Sequence, residues 1–218
     1  MSTPATLPAL DRLGLARAFE HGLAGDVELA LSLPPHPHDE DGMGAARRVE
    51  DLLREVASLS PKLRLTFAPE SLPPDLADDL PVAITLRGAS LGGVHLAGAP
   101  AGYELPILVN AILDVSRAET GLAPGTVKVL AELRNPVTLR LLVSSTCPSC
   151  APEARLAVQM AIVSPHVDTW ILDAAQVPRL AKRLGSSTLP AALINDICWV
   201  PGPQPELALL ARVLYAGT

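Results

Sequence analysis

Aromatic side chains are scarce in this sequence, at 3 % of 218 residues. A buried core must therefore come from aliphatic residues, and a hydrophobic content of 49 % is typical of a globular rather than a disordered chain. Basic residues are also few, since 17 Lys and Arg face 23 Asp and Glu, and no basic run is interleaved with aromatic residues. The resulting net charge of −6 and this pattern predict no nucleic-acid partner.

Long apolar runs and a secretory leader are lacking as well. No uninterrupted apolar stretch approaches the roughly 18 residues of a membrane helix. Residues 1–15 have neither the basic n-region nor the apolar h-region of a signal peptide. We therefore expect a cytoplasmic protein with no membrane partner. Three cysteines are an odd and small number, which argues against a structural disulfide framework.

The order of predicted elements indicates an α/β protein in which one plan is used twice. Residues 10–117 are predicted to form a helix, a strand, a helix, a strand, a hairpin and a final helix. Residues 126–215 repeat that order, with one more short helix before the hairpin. Gly and Pro cluster in residues 121–125. We therefore predict two domains, residues 1–122 and residues 123–218.

The chemistry is concentrated in the motif Cys147-Pro148-Ser149-Cys150, which follows a β-rich stretch and is predicted to open a helix. A cysteine at a helix N-terminus is a good nucleophile, because the unpaired N–H groups and the helix dipole stabilise its thiolate. A second cysteine three residues on lies one turn along the same face. We predict that Cys147 is the attacking thiolate and Cys150 the resolving cysteine of a dithiol–disulfide exchange.

Two other interpretations of the motif stay open. The cysteine pair could be half of a zinc site, but zinc needs four ligands, no second pair exists, and we predict no metal. The pair could also be a structural remnant. Cys198 is interpreted as a small buried apolar residue, with a third redox thiol as the alternative. The loop with His36 and His38 is interpreted as a solvated acidic loop rather than a metal site.

A proline downstream favours the redox interpretation. Thr188-Leu189-Pro190 begins a predicted strand forty residues after Cys150. In a thioredoxin-like fold a proline at this place is cis and packs beside the disulfide, which leaves the backbone of Leu189 free to pair with a bound partner strand. A trans proline at a strand start is the common alternative. The combination with the cysteine motif at this distance is more specific than either signal alone.

Nearly the whole chain resembles the N-terminal domain of the flavoprotein subunit of bacterial alkyl hydroperoxide reductase, and more broadly the archaeal-type protein disulfide oxidoreductases. The resemblance is carried by residues 50–60, 98–105, 144–150 and 156–167. It implies two tandem thioredoxin-like folds, each a central mixed sheet flanked by helices, of which the first has lost its cysteines. No Cys precedes Cys147, and Asp41-Gly42-Met43-Gly44 stands where a first pair would be.

The resemblance also implies roles for particular residues. Pro81 would be the first fold's counterpart of Pro190 and cis. Glu104 would lie at the junction of the folds near the disulfide and relay the proton of the resolving thiol. The alternative for Glu104 is an ordinary acid at a helix start. Substrate contacts are expected from Pro148, Ser149, Leu189 and Pro190.

The expected activity is therefore thiol–disulfide exchange, with a peroxiredoxin or another cytoplasmic protein disulfide as the substrate. The chain carries no Gly-x-Gly-x-x-Gly fingerprint. We therefore expect neither FAD nor NAD, and a separate protein as the electron donor. The alternative function is a binding or adaptor module in which the cysteine pair serves only as a redox sensor.

Overall fold

The computed structural model describes residues 7, 9–33, 40–67, 76, 80, 82–100, 102–184 and 188–218. In these ranges the chain forms seven helices and eight strands. The helices are α1 (Ala9–Gly22), α2 (Glu40–Ser58), α3 (Glu104–Arg117), α4 (Pro124–Ala131), α5 (Cys150–Val163), α6 (Pro178–Leu184) and α7 (Glu206–Ala216). The strands are β1 (Val27–Ser32), β2 (Leu63–Phe67), β3 (Ala83–Arg87), β4 (Gly93–Ala97), β5 (Val137–Val143), β6 (Val167–Asp173), β7 (Ala191–Ile194) and β8 (Cys198–Pro201).

The eight strands form one sheet in the order β2-β1-β3-β4-β6-β5-β7-β8. The first half contributes β2-β1-β3-β4, in which β1 pairs parallel with β2 and antiparallel with β3. The second half repeats this as β6-β5-β7-β8, with the same parallel and antiparallel pairings. The repeat predicted from the sequence is therefore present in the strand order. The domain boundary near residues 122 and 123 stays a prediction.

The two halves are joined edge to edge by a parallel pairing of β4 with β6, in which Gly93–Ala97 run beside Asp168–Leu172. Polar side chains reinforce this pairing on one face of the sheet. The His95 ring stacks on Trp170 at 4.3 Å, with Nδ1 2.9 Å from the Thr85 hydroxyl and Nε2 3.0 Å from an Asp168 oxygen. Burial raises the pKa of Asp168, but hydrogen bonds with His95 and Trp170 and attraction to His95 and Arg140 together outweigh this effect and hold that pKa below its ordinary range.

The core is aliphatic, as the scarcity of aromatic residues predicts. A large buried cluster joins strands of both halves to α1, α2, α3, α4, α5 and α7. A smaller cluster includes Trp170 of β6 and Leu180 of α6. Within the part of the chain described, we find no helix that combines the length and the apolar character of a membrane span.

Helices α3 and α5 pack across the junction of the halves and are linked by an ion pair. The Arg155 guanidinium donates to both oxygens of Asp114 at 2.8 Å, and the Gln159 amide donates to Asp114 at 3.1 Å. Asp114 is buried, and its hydrogen bond raises the pKa of Arg155. The helix that carries the second motif cysteine is therefore fixed to the cysteine-free half.

Candidate active site

The cysteine motif lies between the end of β5 and the start of α5. Two successive tight turns lead into the helix, because the Cys147 N–H donates to the Ser144 carbonyl at 3.0 Å and the Cys150 N–H donates to the Cys147 carbonyl at 3.3 Å. The regular helix therefore begins at Cys150 and not at Cys147, where the sequence pattern predicts its start. Pro148 lies in the second of these turns, before the helix, and is exposed.

Cys147 and Cys150 form a disulfide with their Cα atoms 5.4 Å apart. The two cysteines differ in access: Cys147 is partly exposed, whereas Cys150 has no exposed surface. The Ser149 hydroxyl lies 3.5 Å from the Cys147 sulfur, within hydrogen-bonding reach of sulfur. Both the start of α5 and this hydroxyl can therefore stabilise negative charge on Cys147 when the disulfide is reduced.

The Leu189–Pro190 peptide bond is cis, as the sequence predicted. Pro190 is buried and immediately precedes β7, whose first residue, Ala191, is paired with Leu142 of β5. This register puts Pro190 beside the end of β5, from which the chain enters the cysteine motif. Leu189 is partly buried and packs against the core. The predicted groove residues are thus brought to the same end of the sheet as the disulfide.

Glu104 lies at the start of α3, buried at the junction of the halves. It lines a cavity of ≈ 20 Å³ together with Val143, Ile171 and other residues of β4, β5 and β6. The preceding residue, Tyr103, donates its N–H to the Ser145 carbonyl at 3.1 Å, two residues before Cys147. The residue before Glu104 therefore contacts the segment that leads into the motif, while the nearness of the Glu104 carboxylate to the sulfurs and its part in proton transfer stay predictions.

A second buried acid, Glu153, was not predicted from the sequence as a site residue. It lies in the first turn of α5, is 4 % exposed, and accepts the N–H of Gln204 at 2.9 Å through one oxygen. Burial raises the pKa of Glu153, and the hydrogen bond from Gln204 offsets only part of this effect. An open cleft of ≈ 700 Å³ next to this side chain reaches Ser149 of the motif. The sequence signal was an acid at i+3 from Cys150 on an otherwise apolar helix face.

Other residues singled out in the sequence lie apart from this site or outside the described residues. Pro81, His36 and His38 fall outside the described residues. Within the described ranges, no group of three or more His, Cys, Asp or Glu could hold a metal ion. Cys198 is a free thiol at the start of β8, partly exposed and packed against the core. Its position at the far end of the β7–β8 hairpin from Pro190 separates it from the disulfide.

The chain matches none of the protein-family models with which it was compared. It is 24 % identical over 173 residues to the AhpF subunit of alkyl hydroperoxide reductase in Staphylococcus aureus, covering 79 % of this chain and 31 % of that one. The same protein of Staphylococcus epidermidis is 26 % identical over 153 residues, covering 70 % and 27 %. The chain thus spans less than a third of the length of these relatives.

Solved structures with the same fold cover nearly the whole chain. The NTD_N/C domain of alkyl hydroperoxide reductase AhpF from Enterococcus faecalis gives a TM-score of 0.78 at 22 % identity, covering 95 % of this chain and 100 % of that one. A protein disulfide oxidoreductase from Aeropyrum pernix gives 0.81 at 22 % identity, with 97 % and 94 % covered. The resemblance and the tandem thioredoxin-like fold predicted from the sequence are confirmed. The oxidoreductase class expected for this chain is also that of these relatives and structural neighbours.

Proposed function

We propose that this protein is a thiol–disulfide oxidoreductase in which Cys147 is the nucleophile and Cys150 resolves the mixed disulfide. The proposal rests on one observation: a disulfide at the start of α5 joins a partly exposed cysteine to one with no exposed surface. Only the exposed sulfur can meet the disulfide of another molecule. The buried sulfur belongs to a residue whose Cα atom is 5.4 Å from that of Cys147, and it is placed to attack intramolecularly.

The exchange balances in two steps. In the reduced protein, the Cys147 thiolate attacks one sulfur of the partner's disulfide; a mixed disulfide forms, and the first partner thiolate leaves and takes up a proton. The Cys150 thiol then gives up its proton and attacks the Cys147 sulfur, which releases the second partner thiolate. Two electrons pass to the partner, and the Cys147–Cys150 disulfide remains. A dithiol donor reverses these steps and restores the reduced form.

The remaining site residues have supporting roles in this proposal. Pro148 and Ser149 form the surface beside the attacking sulfur, and the Ser149 hydroxyl donates to the Cys147 thiolate. Leu189 and Pro190 shape the groove for the partner strand, with the Leu189 backbone pairing to it. Support comes from their shared position at the end of the sheet where β5 leads into the motif.

Glu104 accepts the proton of the resolving thiol in this proposal. Its burial at the junction of the halves and its position next to the Tyr103–Ser145 hydrogen bond support the role. A carboxylate in such a place also disfavours a thiolate nearby, which keeps the resolving cysteine protonated until it is needed.

The physiological substrate in this proposal is a peroxiredoxin or another cytoplasmic protein disulfide. It is supported by the similarity to the AhpF subunit of alkyl hydroperoxide reductase. A separate protein supplies the electrons. The disulfide is the only redox group that the proposed reaction needs, so neither FAD nor NAD takes part within these residues.

The test is turnover of a small disulfide, bis(2-hydroxyethyl) disulfide, with dithiothreitol as the donor. Cys147→Ser should abolish turnover. Reduced Cys150→Ser, freed of dithiothreitol and mixed with the small disulfide alone, should accumulate a mixed disulfide on Cys147 detectable by mass. The matched control is Cys198→Ser, which removes the third thiol and should leave the rate unchanged. A redox sensor would oxidise once and stop, so a single stoichiometric event in the wild type would support the alternative function. Full activity of Cys147→Ser would refute the assignment.

A further inference from the structure

Tyr103 is an exposed aromatic residue in a chain that has very few of them. The protein contains two Tyr, two Trp and two Phe. Tyr103 is 48 % exposed, immediately before α3. Tyrosine supplies a large contact area at a small loss of side-chain freedom, and it is enriched at the energetically dominant positions of protein interfaces.

The backbone of Tyr103 is fixed against the cysteine motif. Its N–H donates to the Ser145 carbonyl at 3.1 Å. Gly102, with φ +50°, brings the two segments so close that a Cβ atom there would lie 2.5 Å from the same carbonyl oxygen. Because Ser145 is two residues from Cys147, the Tyr103 backbone is held against the segment that leads to the attacking sulfur, and it comes from the half of the protein that has no cysteine.

The residues next to Cys147 in the second half of the protein are exposed as well. Thr146 and Pro148, on either side of the nucleophile, are both exposed. A protein whose disulfide reaches the Cys147 sulfur must cover surface around that sulfur, and the exposed Tyr103 is joined through its backbone to Ser145, two residues before Cys147. A small disulfide can reach the sulfur without covering it.

We infer that Tyr103 is a docking residue for the protein that carries the attacked disulfide. The inference rests on the proposed function and adds that the cysteine-free half takes part in partner binding. Tyr103 contributes to association with protein disulfides and not to the exchange itself. Its effect therefore depends on the size of the substrate.

The experiment compares two substrates with dithiothreitol as the donor: insulin, a folded protein with disulfides, and bis(2-hydroxyethyl) disulfide. For Tyr103→Ala we expect kcat/KM toward insulin to fall about tenfold, which corresponds to about 1.4 kcal/mol. Turnover of the small disulfide should stay within about twofold of wild type, because the disulfide and its surroundings are unchanged.

The chain offers a matched control in its other tyrosine, Tyr215. It is 69 % exposed and lies at the end of α7. The Asn135 amide, two residues before β5, donates to Gly217, so this end of α7 is at the start of β5, about 20 Å from the motif at the other end of that strand. Tyr215→Ala should be neutral toward both substrates.

Tyr103→Phe keeps the ring and should retain most of the insulin activity. Thermal unfolding of each variant establishes that it is folded. Equal slowing of both substrates by Tyr103→Ala would overturn the inference, because it would place Tyr103 in the exchange rather than in docking. Unchanged kcat/KM toward insulin would also overturn it. If the wild-type protein does not turn over the small disulfide at all, the proposed function is refuted instead.

Discussion

Gly102→Ala should destabilise the protein by about 2–3 kcal/mol. An alanine at φ +50° adopts the left-handed region at a loss of roughly 1–2 kcal/mol. Its Cβ atom would meet the Ser145 carbonyl oxygen at 2.5 Å, so the backbone must shift away from the motif. That shift weakens the Tyr103–Ser145 hydrogen bond, worth about 1 kcal/mol net.

Urea unfolding monitored by circular dichroism measures this change as a lower midpoint at an unchanged m-value. The matched control is Gly125→Ala. Gly125 lies in the first turn of α4, with no atom within 4 Å of an added Cβ, so alanine there should stabilise by about 0.5 kcal/mol. The same Gly-to-Ala change thus has opposite signs at the two sites. If Gly102→Ala unfolded at the wild-type midpoint, the close approach between the halves at Ser145 would be wrong.

Ser149→Ala removes the hydroxyl 3.5 Å from the Cys147 sulfur. Because a hydrogen bond to the thiolate contributes about 1 kcal/mol, its loss should lower the thiolate fraction, and iodoacetamide should alkylate reduced Cys147 about fivefold more slowly near neutral pH. Ser149→Thr keeps the hydroxyl and is the control; an unchanged rate in Ser149→Ala would contradict the contact. Burial raises the pKa of Glu153 above its ordinary value of 4.5. Its contribution to the free energy of unfolding is therefore fully present below that value and is lost as the pH rises through the folded-state pKa. Glu153→Gln cannot ionise and lacks this loss. The free energy of unfolding of Glu153→Gln minus that of wild type, measured by urea unfolding from about pH 4.5 to 8, should therefore increase with rising pH. A difference that stays constant with pH would argue against a perturbed carboxyl group.

Much of the fold could be predicted from local sequence patterns. The final helix predicted for the first half ends at residue 117, where α3 ends. The hairpin predicted for the second half is formed by β7 and β8. Its turn contains Asn195 and Asp196, which both have positive φ, a conformation that Asn and Asp tolerate in tight turns. These features depend on residues close in sequence, so a single chain reveals them.

The joint between the halves could not be predicted in the same way. The hairpin predicted for the first half is formed by β3 and β4. The other edge of β4 pairs with β6, more than seventy residues on, and no local pattern encodes that pairing. Glu153 was missed for a related reason. An acid in the first turn of a helix usually indicates a favourable interaction with the dipole at the surface. The apolar face on which Glu153 lies argued for burial instead, and packing against the Gln204 segment shows it.

The cysteine-free half supports the reactive helix at three points. Before α5, the Tyr103 N–H holds the Ser145 carbonyl; along α5, Asp114 holds Arg155; and at its C-terminal end the Gly92 N–H donates to a carbonyl of the last turn at 2.8 Å. Helix ends leave carbonyls unsatisfied, and this last contact supplies a donor from the other half. A half that had lost its own cysteines would still be retained if the position of the reactive helix depended on it. One of these contacts holds the Tyr103 backbone against the motif segment, so support of the helix and the proposed docking of a partner would both depend on the interface between the halves.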